Sequence, residues 1–167
     1  MTRENRFVVL VAGGREYSNV LAVANVMGFV RREVESKGRT LFVWHGACGC
    51  DAKHHPLGDR PMSPDAYDAY LCNESKGLDG LVHRWCLWRQ IGVTAFPAHW
   101  SAFGRAAGPR RNAMMVLEKP DLMISFPGGT GTADCSSRAA TAGIPVWGVN
   151  RLGALKDVDK PHLFPRL

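Results

Sequence analysis

No stretch of this sequence reaches the roughly 18 to 20 consecutive apolar residues that a membrane-spanning helix needs. The opening MTRENRFVVLVAGG runs into glycines before the apolar segment of an export signal is complete. The expectation is a cytoplasmic protein with no membrane partner. The five cysteines, Cys48, Cys50, Cys72, Cys86 and Cys135, are odd in number and follow no export signal, which argues for free thiols over a disulfide framework. Paired C-x-x-C knuckles are also missing. Cys48, Cys50, His54, His55 and Cys72 are zinc-type donors, but CxC and adjacent histidines are poor zinc spacing, so no metal is expected. The net charge is +6, yet no Lys/Arg run interleaved with aromatics marks a nucleic-acid stripe. A small anionic partner is favoured, with nucleic acid as a lesser alternative. Neither the Gly-Lys-Ser/Thr ending of a P-loop nor a GxGxxG after the first strand occurs, and there is no internal repeat.

What is present is the composition of one soluble globular domain, 46% hydrophobic and 22% charged over 167 residues, too short for two ordinary domains. FVVLVA at 7–12, TLFVWH at 40–45, VTAFPA at 93–98, DLMISF at 121–126 and PVWGV at 145–149 are short, near-continuous apolar runs that predict strands buried on both faces. Between them lie helical patterns. At 18–37 the apolar residues recur every three or four positions, with Ser18 as cap and Gly38 as stop. Further helices are predicted at 78–90, at 110–117 with Pro109 in the first helical position, and at 130–142. Residues 52–76, with three prolines and little period, read as an irregular insertion. The alternation predicts an α/β fold: a mostly parallel sheet of five to six strands between two helical layers. Right-handed crossovers bring every strand-to-helix turn to the carboxyl edge, where open α/β sheets bind ligands.

The glycines fall at those turns. Gly13-Gly14 follow the first strand, Gly46 and Gly49 the second, and Pro127-Gly128-Gly129-Thr130-Gly131-Thr132 the fourth. Without a Cβ, glycine lets a ligand approach the backbone, and a helix amino terminus offers unpaired N–H groups and partial positive charge to a phosphate. Arg15 either reaches a phosphate across this rim or is a solvated surface arginine. Asp51 accepts ribose hydroxyls, takes part in proton transfer, or caps a helix. His45 is a catalytic group or a hydrogen-bonded strand-end residue. Arg111 and Asn112 lead the helix before the fourth strand and are candidates to point at the rim. Thr130 and Thr132 have hydroxyls for phosphate or for capping, and Trp100 is either a core or interface aromatic or, from its place in the FPAHW loop, one that stacks on a base. Asp134 is the carboxylate for ribose or for an attacked carbon.

PGGTGTADC resembles the PGGxGTxxE signature of the LOG-type phosphoribohydrolases, and RNAMM resembles their RKxxM element. The wider set VAGGREY, WHGACGCDA, FPAHW, GRAAGPRRNAMM, PDLMISFPGGTGTAD and AGIPVWGV is still more similar to the YspA-like branch of the SLOG superfamily, in order from about residue 8 to 149. The resemblance implies a Rossmann-like domain that binds a nucleotide or nucleotide derivative such as NAD, ADP-ribose or a related signalling nucleotide, and that forms homodimers or higher homo-oligomers. No cofactor is required. In the LOG enzymes it also implies hydrolysis of the N-glycosidic bond, assisted by the arginine of RKxxM and the glutamate of PGGxGTxxE. The arginine is kept as Arg111, whereas Cys135 stands in the glutamate's place, Asp134 one residue earlier, and Asn112 replaces the lysine. A thiol is a poor substitute for a carboxylate in stabilising an oxocarbenium-like state. A sensor or sequestering protein is therefore the leading expectation. A hydrolase using Arg111 with Asp134 or Asp51 is the alternative, and a basic nucleic-acid-binding protein the second alternative.

Overall fold

A computed structural model describes residues 5–156. Five strands, β1 (Arg6–Ala12), β2 (Thr40–His45), β3 (Gly92–Ala95), β4 (Leu122–Ser125) and β5 (Val146–Gly148), form one sheet in the order β3-β2-β1-β4-β5. Every pairing is parallel. The order reverses between β1 and β4, where Val11 lies between His45 on one side and Ile124 on the other. This is the Rossmann-like α/β architecture expected from the alternating apolar runs, and the reversal opens a crevice at the carboxyl edge.

The pleat sorts β1 onto two cores. Val9 and Val11 face α1 (Val20–Ser36) and α3 (Gly77–Trp88), packing with Met27, Val30, Leu78 and Val82. Leu10 faces the opposite layer, α5 (Ala107–Leu117) and α6 (Thr130–Thr141), and packs with Met115, Met123, Cys135 and Ala139. Burial on both faces explains why these strands read as continuous apolar runs.

Several boundaries differ from the sequence expectation for local reasons. Asn19, not Ser18, caps α1, its Oδ1 accepting the Ala22 N–H at 3.0 Å. Gly38 does follow the helix end, at φ 71°. Pro109 is the third residue of α5, still in the first turn, where a missing N–H costs nothing. The third strand ends at Ala95, so Phe96 to Ala98 belong to the loop.

Residues 52–76 are not irregular throughout. They hold a 3₁₀ turn (Ala52–His54) and a helix, α2 (Pro64–Glu74). Ser63 caps α2, Pro64 takes its first position, and Tyr67 and Leu71, one turn apart, are buried with Ala47 and Cys50 in a small separate cluster. Its apolar face is only two residues wide, too faint a period to stand out from the prolines around it. A short helix, α4 (Trp100–Phe103), and a 3₁₀ turn (Gly104–Ala106) then lead into α5. No described helix is long and apolar enough to cross a membrane.

Candidate functional site

The turns after β1 and β4 are fastened to each other. The Gly14 N–H donates to the Pro127 carbonyl at 2.9 Å. A Cβ at Gly14 would lie 3.1 Å from that same oxygen, and one at Gly128 would lie 2.8 Å from the Gly14 nitrogen. These two glycines are required by the approach of one backbone to another. Gly14 O also accepts the Leu78 N–H at 3.1 Å, which seats the start of α3 against the first turn.

Above this junction lies a cleft of about 610 Å³. Gly13, Gly14 and Arg15 of the first turn and Gly46 of the second line it. So do Trp100, Arg111 and Asn112 from α4 and α5, and Gly129, Thr130, Gly131, Thr132 and Asp134 from α6. The three glycine turns, distant in the chain, therefore share one rim. Pro127 and Gly128 are not on the cleft wall; they make the junction beneath it.

The amino terminus of α6 is the most open part of the rim. Gly129 precedes the helix without a side-chain cap, and the first turn holds no acidic residue. The ladder begins with the Ala133 N–H on Gly129 O, so the amides of Thr130, Gly131 and Thr132 donate to no described residue. A Cβ built at Gly129 or Gly131 would meet nothing within 4 Å. Uncapped amides under open space, at the positive end of a helix dipole, are what an anion requires.

Cations stand around it. The Arg15 Nε donates to Cys48 Sγ at 3.4 Å, and this contact holds its guanidinium above the ordinary value. Arg105 lines the same cleft. Arg111 is committed to the protein on one side: Nη1 donates to the carbonyls of Gly46 and Phe96, and Nε to Asn112 Oδ1 at 2.9 Å. It braces the loops after β2 and β3 while its charge stays in the cleft.

Asp134 is not the free carboxylate that the sequence pointed to. Asn112 Nδ2 donates to its Oδ2 at 2.9 Å, and Arg138 Nε, one turn on, reaches both oxygens at 3.0 Å. Burial alone would raise this carboxyl, but the hydrogen bonds from Arg138 and Asn112 outweigh it and hold it below its ordinary value. Asn112, buried, also donates to Gly131 O at 3.2 Å, so it ties α5 to the first turn of α6. Cys135, in the place of the resemblance's glutamate, is buried, and that burial pushes its thiol up to about 11.

Two further candidates fall outside the cleft lining. Asp51 starts the 3₁₀ turn by accepting the Lys53 N–H at 2.9 Å through Oδ1, while Oδ2 accepts from the Ser101 N–H and hydroxyl at 3.2 and 2.6 Å. Burial works against its ionised form, and these bonds more than offset it, leaving the carboxyl below its ordinary value. It caps and ties loops, the capping alternative of the sequence reading. His45 is fully buried. Its Nδ1 accepts the Ala47 N–H at 3.0 Å, so the neutral ring carries its proton on Nε2 and donates it to His83 Nδ1 at 2.9 Å. Burial, then His83 and Arg111, push its imidazole down to about 3. His45 holds the end of β2 as a neutral hydrogen-bonded residue.

Sequence reasoning missed Asp79. It is in the first turn of α3, only 6% exposed, and lines the cleft. Its Oδ2 accepts the Cys48 N–H at 2.9 Å. Burial pushes the carboxyl up to about 6, against the opposing pull of that amide and of Arg111. The available signal was an acidic residue beside Leu78 and two glycines in an otherwise apolar helix start, GLDGLV. The zinc-type donors have separate partners: Cys50 Sγ faces Ser75 Oγ, and His54 and His55 pack edge-on to Tyr70 and Tyr67. Among the described residues no group of three or more His, Cys, Asp or Glu is arranged to hold a metal ion.

Over 80 residues the chain is 39% identical to the gene 61 protein of Mycobacterium phage D29. The match takes in 43% of this chain and 63% of the phage protein, so the chain spans a little under two thirds of that relative's length. No protein-family model and no solved structure matches the chain.

Proposed function

We propose that the cleft binds the phosphate of a nucleotide or nucleotide derivative, of the NAD or ADP-ribose type, and that the protein acts as a sensor or sequestering protein for it. The observation that carries this is the amino terminus of α6, with uncapped amides under unfilled space, in the same cleft as Arg15, Arg105 and Arg111. Dipole and guanidinium charges act together there on one anion. Trp100, 39% exposed at the cleft, supplies an aromatic face for a base. The resemblance to SLOG-type proteins points the same way. Thermal shift against NAD, ADP-ribose, AMP and related compounds is the test: a rise in melting temperature with at least one is expected, and no stabilisation by any at millimolar concentration overturns the proposal.

Hydrolysis of an N-glycosidic bond is the second reading, favoured by two carboxyls, Asp79 and Asp134, at one cleft with Arg111. Release of free base from AMP, followed by chromatography, supports it; intact AMP alongside tight binding leaves the binding role alone. Self-association is inferred from the adjacent exposed apolar side chains Leu87 and Trp88, and sedimentation of a single 18.3 kDa species would refute it.

A further inference from the structure

We propose that Asp79 is the specificity residue of the cleft, reading a ribose hydroxyl of the bound nucleotide through its open oxygen, Oδ1. This rests on the nucleotide reading above and gives to Asp79 the role that the sequence offered to Asp51 and Asp134.

The three carboxyls differ in what their oxygens already hold. Asp51 accepts from Lys53 and Ser101 with both oxygens. Asp134 is held at both oxygens by Arg138, with Asn112 added on one. Asp79 has one oxygen on the Cys48 N–H, while Oδ1 takes no hydrogen bond from any described residue. Its side chain is more than nine-tenths buried and lines the cleft. Oδ1 is not among the fully enclosed side-chain atoms that lack a partner, so it is reachable from the cleft and free to accept from a donor that enters it.

The identity of the donor follows from position. A phosphate oxygen has no proton to give and repels a carboxylate. Asp79 is next to Leu78, whose N–H is bonded to Gly14 O, so it stands one residue from the first turn, which lines the same cleft as the amino terminus of α6. The group covalently nearest a nucleotide's phosphate is its sugar, and the sugar's only donors are hydroxyls. Arg111 of α5 acts on Asp79 through space, without forming an ion pair, and burial still leaves the carboxyl above its ordinary value.

The test measures binding of AMP, 2′,3′-dideoxy-AMP and inorganic pyrophosphate by calorimetry to the wild-type protein and to Asp79→Asn, with folding of the variant checked by its melting curve. Asparagine keeps a carbonyl for the Cys48 N–H and presents an amide NH2 in place of Oδ1. The wild-type protein is expected to bind AMP about tenfold or more tighter than dideoxy-AMP, the size of one hydrogen bond to a charged group. In Asp79→Asn that preference is expected to shrink severalfold, because a neutral amide replaces the charged acceptor, while pyrophosphate binds as well or tighter because a negative charge is gone. Equal binding of AMP and dideoxy-AMP by the wild type overturns the assignment without touching the phosphate site, and needs no variant. So does an Asp79→Asn protein that weakens all three probes alike, the mark of a merely structural role. If the wild type binds none of the three, the assignment of Asp79 falls, and the nucleotide reading falls with it where NAD and ADP-ribose also fail to stabilise the protein.

Discussion

The two ends of α5 and α6 make opposite kinds of hollow. At the carboxyl edge of the sheet their amino termini border the 610 Å³ cleft of glycines, arginines and carboxyls. At the amino edge their carboxyl termini border a larger hollow of about 910 Å³, walled by Val116, Leu117, Pro120, Ile144 and Pro145 with Arg39 and Lys119 at hand. Volume alone would choose the second. Backbone polarity chooses the first: a helix start exposes donors and positive potential, and a helix end exposes carbonyls and negative potential. Arg39 there is engaged within the protein, Nη2 donating to the Arg6 carbonyl and lying 3.9 Å from Asp121 Oδ1. The same pair of helices thus offers uncapped donors at its amino-terminal end, and the smaller hollow is the functional candidate.

The largest effect that separates the two ends is expected from Gly128→Ala. The new methyl would press on the Thr132 side chain and lie 2.8 Å from the Gly14 nitrogen, forcing apart the two turns that support the cleft. Overpacking of this kind costs about 3 kcal/mol, read as a drop in denaturation midpoint, with loss of nucleotide stabilisation.

Next is Asp79→Asn, which should raise stability. The carboxyl is raised from 3.8 to about 6 in the folded protein, so the folded state keeps a proton that the unfolded chain has released. Stability is therefore lost as pH rises from about 4 to about 6, and the whole penalty is present above that. Urea unfolding at pH 8 should show the variant more stable by about 2 kcal/mol, with the gap closing by pH 4. A gap that is constant with pH would mean that Asp79 is not the titrating group.

Gly131→Ala sharpens the contrast within the cleft. Nothing lies within 4 Å of the added methyl, and alanine is the better helix former, so stability should hold or rise by up to about 1 kcal/mol. Nucleotide affinity should nevertheless fall about tenfold, because the methyl enters the space over the amides. Smallest of all is Leu117→Ser at the amino-edge hollow, where the side chain is 75% exposed. Its effect on stability should stay within about 0.5 kcal/mol, and nucleotide stabilisation should not change. A loss of binding there would reverse the assignment of the two ends.

Fold class was legible because β1 and β4 are buried on both sides, and β2 on one side with the other half-buried, so their apolar runs cannot be hidden. The rim was legible for a similar reason, since Gly14 and Gly128 answer to backbone contacts that no other residue permits. Helix α2 was not, because its two buried residues, Tyr67 and Leu71, are too few to set a period among prolines. Asp79 was invisible because an acidic residue in a first helical turn is ordinary in sequence, and only its neighbours make it unusual. Asp51, Asp134 and His45 were ambiguous in sequence. Their residue types fit catalysis, and the partners that occupy Asp51, Asp134 and His45 come from elsewhere in the fold: Ser101, Asn112 and His83.

By itself, then, the sequence determined the alternating strands and helices, the parallel sheet and the glycine turns at its carboxyl edge, all of which follow from local periodicity and from the steric freedom of single residues. Only the tertiary structure decided which carboxyls are satisfied and which is open. Hydrogen-bond partnership and burial depend on residues 50 or more positions apart, as Asp51 and Ser101 are at 50 and Arg111 and Gly46 at 65, and no local pattern records who meets whom.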